Sequence, residues 1–300
     1  THEPLRRDFY HGWVTRASDQ DGNNGRWDNT ALMDQILAVR HEVAGLVGFP
    51  NFAEYSLATK MASSVGEVRE FLEQLATKSR PVAQREFDEL TQFAGRALNA
   101  WDVAFYAEKL KRERFDLSEE ALRPYFPLPR VLSGMFSVAE KLYGVKIVER
   151  AGVDVYHPDA RFYDILNDDG SPRGGFFVDL YARSKKRGGA WMDECVGRKR
   201  LGGPTSLPVA YLVCNFMPPG GSRPSLLTHS EVVTMFHEFG HGLHHMLTRV
   251  DYPSIAGING VEWDAVELPS QFMENFAWRA EVIPLISAHV ETGEPLPEAE

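Results

Sequence analysis

Cysteine is nearly absent: Cys195 and Cys214 are the two in 300 residues. That is too few for a disulfide framework, so a reducing, cytoplasmic setting is expected. No run of 18 apolar residues occurs, so no segment is expected to span a membrane. Basic residues are in deficit, 32 Lys and Arg against 42 Asp and Glu, for a formal net charge of -10. This argues against nucleic acid or an anionic membrane as a general partner. Internal repeats and low-complexity tracts are also lacking, which excludes solenoid and fibrous classes. The chain starts at Thr1 rather than methionine and runs out through Pro295-Leu296-Pro297-Glu298, so both ends read as cuts within a longer protein. What is present is apolar content of 43%, enough for one large domain or two.

The first 144 residues read as helical. Few periodic apolar positions occur in 1–28, and 19–29 is a Gly/Asn/Asp loop. Amphipathic spacing then predicts helices over 29–46, 51–61, 65–98, 101–114 and 131–143, with a break or kink at Pro81. From residue 145 the texture changes. Residues 145–150, 161–166, 176–181 and 208–216 alternate as strands do, with turn chemistry at Asn167-Asp168-Asp169-Gly170. The expected fold class is mainly α, with a small, largely antiparallel β-sheet. A helical region, 1–144, and a region 145–300 would both belong to one domain. Basic clusters at 183–187 and 198–200 read either as solvated loop charge or as contacts for a peptide carboxylate.

The chemistry concentrates in His237-Glu238-Phe239-Gly240-His241. Residues four apart on a helix lie about 40° apart, so both imidazoles can face one ion. Glu238, about 100° around, reaches a water beside the ion without binding it, which suits a general base. Thr228-His229-Ser230-Glu231 has the form of a capping box, which starts a helix through the motif. Gly240 and Gly242 cost that helix about 1 kcal/mol each relative to Ala and read as room for a neighbouring element. His244 shares the face but lies almost two turns from His237, so packing or hydrogen bonding behind the metal suits it better than ligation. A third ligand must come from elsewhere, and Glu262, Asp264, Glu267 and Glu274 are the candidates. Asp264 and Glu267 also read as an N-cap and N3 pair.

HEFGHxxH followed by VELPSQFMEN resembles the thimet oligopeptidase and oligopeptidase A family of zinc metallopeptidases, above all its bacterial oligopeptidase A branch. TRASDQ, LATKMA, LRPYFP, DLYARSKKRGGAWMDECVG and PVAYLVCNF extend the resemblance along essentially the whole chain, to the central portion of such proteins. It implies a multi-helical zincin-type catalytic region holding one Zn2+ per chain through His237, His241 and Glu267, with Glu238 as base. It also implies hydrolysis of short peptides and an edge of the 208–216 strand offered to extended substrate. Glu274, His244 and Tyr211 are expected to support the site or meet substrate. The histidine and tyrosine donors that this family brings from a glycine- and tyrosine-rich segment have no counterpart after Glu267 here. A monomer is the default, with oligomeric state otherwise open. Two other readings stand: a zinc-stabilised interaction domain, which would need Cys195, Cys214 or His229 as a fourth ligand, and an HExxH hydrolase of another substrate class.

Overall fold

The computed structural model describes residues 2–20, 22, 24–115, 119–221 and 223–297. They form two compact units, Thr1–Ser118 and Glu119–Glu300. The first unit is helical: α1 (Glu3–Val14), α2 (Thr30–Leu46), α3 (Phe52–Leu57), α4 (Val65–Ala94) and α5 (Ala100–Phe115). The loop expected over 19–29 is irregular where described; Asp21 and Asn23 lie outside the described residues. Ser64 caps α4, its hydroxyl accepting the Glu67 N–H at 3.1 Å. The break expected at Pro81 does not form, and α4 runs through it. Proline removes the bond to the Thr77 carbonyl, and this stretch of α4 is exposed, where the freed acceptor is open to solvent. Buried Asp102 ties α5 to Arg6 of α1 at 2.6 Å and to Arg96 at 3.0 Å.

The second unit holds α6 (Glu119–Leu122), α7 (Leu128–Tyr143), strands β1 (Val145–Glu149), β2 (Arg161–Asn167), β3 (Pro172–Tyr181), β4 (Trp191–Val196) and β5 (Val209–Phe216), then α8 (His229–Met246), α9 (Leu268–Glu274) and α10 (Ile283–Ile286). Strand order is β1-β2-β3-β5-β4. Neighbours pair antiparallel except β3 with β5, which run parallel. The sheet is therefore largely antiparallel, as expected, with one crossover. Spacing alone had not marked β4. It is a short edge strand with half-exposed residues on both faces, so it lacks a clean alternation.

Two layers enclose the core. Val131, Met135, Phe136 and Ala139 of α7 meet Ile165 and Phe176 of the sheet and Phe236 and Phe239 of α8. Phe136, Phe176 and Phe239 form a cluster of aromatic rings with centroids 5.7–5.9 Å apart. Helix α8 is thereby fixed on the sheet, and the chemistry it carries is fixed with it. In the basic cluster at 183–187, Lys185 and Arg187 are exposed, whereas two members turn inward. Arg183 and Lys186 close over Asp179, itself 2% exposed, at 2.7 and 2.9 Å. Arg198 pairs with Asp251 at 2.9 Å. No helix among the described residues is long and apolar enough to cross a membrane.

Candidate metal and catalytic centre

Helix α8 begins as its sequence dictates. Thr228 Oγ1 accepts the Glu231 N–H at 3.1 Å, and Glu231 accepts the Thr228 N–H at 2.8 Å, completing the capping box. About three helical turns from its start, the glycines act as spacers. A Cβ on Gly240 would lie 2.6 Å from both the Pro269 carbonyl oxygen and Ser270 Cα, so α9 crosses α8 there. A Cβ on Gly242 would lie 3.0 Å from Leu212 of β5. Each glycine thus admits one neighbour, α9 on one side and the sheet on the other.

The crossing carries Glu267 to the histidines. Its Oε2 lies 3.2 Å from His237 Nε2 and 3.1 Å from His241 Nε2. These three residues form the metal-compatible group found among the described residues, with ligand atoms all within 4.8 Å of one another. The expected Asp264–Glu267 cap pair lies upstream of the helix, because Pro269 fixes the first turn and places Glu267 itself at the N-cap. Ser270, fully buried, donates to Glu267 Oε2 at 2.9 Å and to the Glu267 carbonyl at 2.8 Å. Ser270 was not singled out above; its three-residue spacing from Glu267, which sets both on one helical face, was the available signal. Glu274, one helix length further on, has Oε1 2.6 Å from His237 Nδ1.

The donor chemistry fits a cation. An ionised Glu274 only accepts, so Nδ1 of His237 carries its proton and neutral His237 presents a lone pair at Nε2. That lone pair faces Glu267 Oε2, another acceptor, at 3.2 Å, and His241 faces the same oxygen at 3.1 Å. Such a trio is stable with positive charge at its centre. Ligands bound tetrahedrally at 2.0–2.1 Å stand roughly 3.3 Å apart, close to the spacings seen. Burial pushes the His241 imidazole below its usual pKa, favouring the neutral ring that a metal requires.

Glu238 is 7% exposed. Burial raises its pKa, His237 pulls it back, the Glu267 charge pushes it up again, and the Met192 backbone N–H opposes. Met192 belongs to β4, so the edge strand supports the carboxylate. Of the remaining expected residues, His244 does not join the metal group, and its Nδ1 is buried without a hydrogen-bond partner. Its neighbour His245 is fully buried, with Nε2 3.1 Å from the Val196 carbonyl of β4. Tyr211 is not brought to the centre. Alternation on β5 turns Leu212 to α8 and Tyr211 away, where its ring stacks 5.2 Å from Phe177 and its hydroxyl lies 3.2 Å from Cys195 Sγ. Cys195 is thus engaged by Tyr211, Cys214 is buried, and His229 meets the Ala277 carbonyl at 2.9 Å. None of them joins the metal group as a fourth ligand.

Across residues 1–300 the sequence matches peptidase family M3. The chain belongs to this family. Among M3 relatives, oligopeptidase A of Haemophilus influenzae is 52% identical over 300 residues, covering 98% of this chain and 44% of that protein. Oligopeptidase A of Escherichia coli is also 52% identical, over 99% of this chain and 44% of its own length. The dipeptidyl carboxypeptidase of Escherichia coli is 38% identical over 97% of this chain and 42% of its own length. The chain therefore spans less than half the length of these M3 relatives.

Proposed function

We propose that this chain is the metal-holding catalytic portion of a zinc-dependent oligopeptidase that cleaves short peptides. The observation that carries the reading is the single Glu267 oxygen facing two imidazole nitrogens, with His237 locked from behind by Glu274. His237, His241 and Glu267 would hold one Zn2+, and Ser270 and Glu274 would hold the ligands in register. When bound, the ion supplies a Lewis acid that brings the pKa of a water towards about 7. Glu238 is the base: it takes a proton from the attacking water and passes it to the leaving amine.

Substrate would lie along β4 rather than β5. The expectation of a β5 edge fails because β3 and β4 flank β5, whereas β4 ends the sheet and adjoins Glu238. An extended peptide paired there needs only backbone hydrogen bonds, which permits varied sequences. Both cysteines are free, in keeping with a reducing compartment such as the cytoplasm. A metal-stabilised interaction domain is disfavoured by the lack of a fourth protein ligand among the described residues and by the buried carboxylate of Glu238. The test is Glu238→Gln, assayed with a quenched peptide with and without chelator. Zinc content should be unchanged and turnover should fall by about 100- to 10,000-fold. Near-normal cleavage by the variant would refute the assignment.

A further inference from the structure

A cavity of about 700 Å³ lies behind the metal-holding helix, between the C-terminal half of α8, the end of α7, the start of β1 and the loop that leads to α9. Its apolar wall includes Leu243, Ile255 and Val261, and its polar wall includes Arg173, Arg249 and His244. The metal ligands and Glu238 do not line it.

Two residues of this wall each carry a buried polar atom without a hydrogen-bond partner, Arg173 Nε and His244 Nδ1, just beneath the cavity surface. Buried polar atoms are ordinarily satisfied, so two orphans in one cavity call for a ligand or a cause. Arg173 has a structural task, since its Nη2 donates to the Leu247 carbonyl at the C-terminal end of α8. That task leaves Nε unused. Nor is the positive charge matched: neither Arg173 nor Arg249 forms an ion pair among the described residues, whereas nearby Arg198 is neutralised by Asp251. Glu262 is the one carboxylate on the wall, so two guanidiniums face a single negative charge. The pKa of Arg173 is lowered by burial and by the charges of Arg249 and Arg198, in line with a cation lacking an anion.

We propose that this cavity binds a small organic anion, a carboxylate or phosphate on a short apolar body. The anionic head would take the guanidiniums of Arg173 and Arg249, and the body would lie against Leu243, Ile255 and Val261. His244 completes the polar wall beside the head.

Calorimetric titration of the zinc-loaded protein with inorganic phosphate, N-acetyl-leucine and neutral N-acetyl-leucine amide tests this without any peptidase assay. At least one anion should bind saturably and the amide should not; whichever anion binds more tightly identifies the head group. Arg249→Ala should weaken binding about tenfold, whereas Glu262→Gln should tighten it several-fold by removing the opposing charge. Both positions are exposed, so these variants leave folding intact even if Arg173→Gln disturbs the end of α8. Binding that persists after chelation supports the cavity, and binding lost with the metal overturns it. Absence of saturable binding, or affinities unmoved by both exposed variants, would also overturn it.

Discussion

Gly240→Ala isolates the geometry on which the centre depends. On helix propensity alone the change should stabilise α8 by about 1 kcal/mol. The structure predicts the opposite sign. The new Cβ would lie 2.6 Å from the Pro269 oxygen and from Ser270 Cα, backbone atoms that cannot rotate away. Ordinary contact begins near 3.4 Å, so α9 must retreat by the difference, 0.8 Å. Overpacking of this kind costs about 1–3 kcal/mol, enough to reverse the propensity gain. The consequence for the metal is larger, because Glu267 and Ser270 ride on the segment that moves. A ligand distance tolerates about 0.2 Å. Zinc affinity should therefore fall by at least the 10- to 100-fold that follows loss of a supporting hydrogen bond behind a ligand. Gly242→Ala is the internal control. Its Cβ meets side-chain ends of Leu212 at 3.0 Å and Met246 at 3.2 Å, which can yield, so its effect on zinc should be small. Competition with a chromophoric chelator gives the affinities, and thermal unfolding gives the stabilities. Wild-type zinc affinity together with a raised melting temperature in Gly240→Ala would refute the crossing argument.

A ligand series tests the division between holding and supporting residues: zinc affinity should fall most for His241→Ala and Glu267→Ala, about 10- to 100-fold for Glu274→Ala, and little for His244→Ala. Chelator competition across the four variants reads this order, and a larger loss for Glu274→Ala than for Glu267→Ala would move the ligand. At Asp179, burial raises the pKa but hydrogen bonds and charge from Arg183 and Lys186 outweigh it, so the folded value lies below the unfolded one of about 3.9. That carboxylate's stabilisation is fully present above pH ~4 and is lost as pH falls through the folded pKa. Asp179→Asn leaves Lys186, 4% exposed, facing a neutral partner, and should destabilise at pH 7 by about 3–5 kcal/mol while flattening the acid limb of a denaturant-derived stability profile. An unchanged profile would show the cluster to be inert.

The centre was more legible in the sequence than the sheet around it, and the reason is range. Gly240 signalled only that something comes close, and its neighbours, Pro269 and Ser270, come from a distant segment; the cap at Thr228 and the pairing of His237 with His241 are set by residues a few positions apart, where helical geometry acts directly. The support given by Glu274 to His237 could be anticipated for the same reason, once a second helix was placed beside the first. At Pro81 the local rule allowed a break or a kink, and the helix continues without a break in an exposed stretch. The edge strand Trp191–Val196 and the parallel pairing of β3 with β5 depend on contacts between distant segments, which no periodicity records. Tyr211 shows the same limit: that it lies beside Phe177 of β3 and Cys195 of β4 could be known only after those strands were set on either side of β5.

The support that β4 gives Glu238 has a further consequence for how the protein acquires its parts. His237, His241, Glu267, Ser270 and Glu274 all come from one short stretch of chain, so a helical pair can trap an ion early, while long-range pairing is still incomplete. Glu238, the proposed base, meets Met192 only once the crossover from β3 to β5 has closed and β4 has added to the outside. On the function proposed above, a chain with α9 docked on α8 but with β4 not yet added would hold the metal-binding group without the strand beside its base. Metal content would then report the docking of the helical pair, and turnover the completion of the sheet.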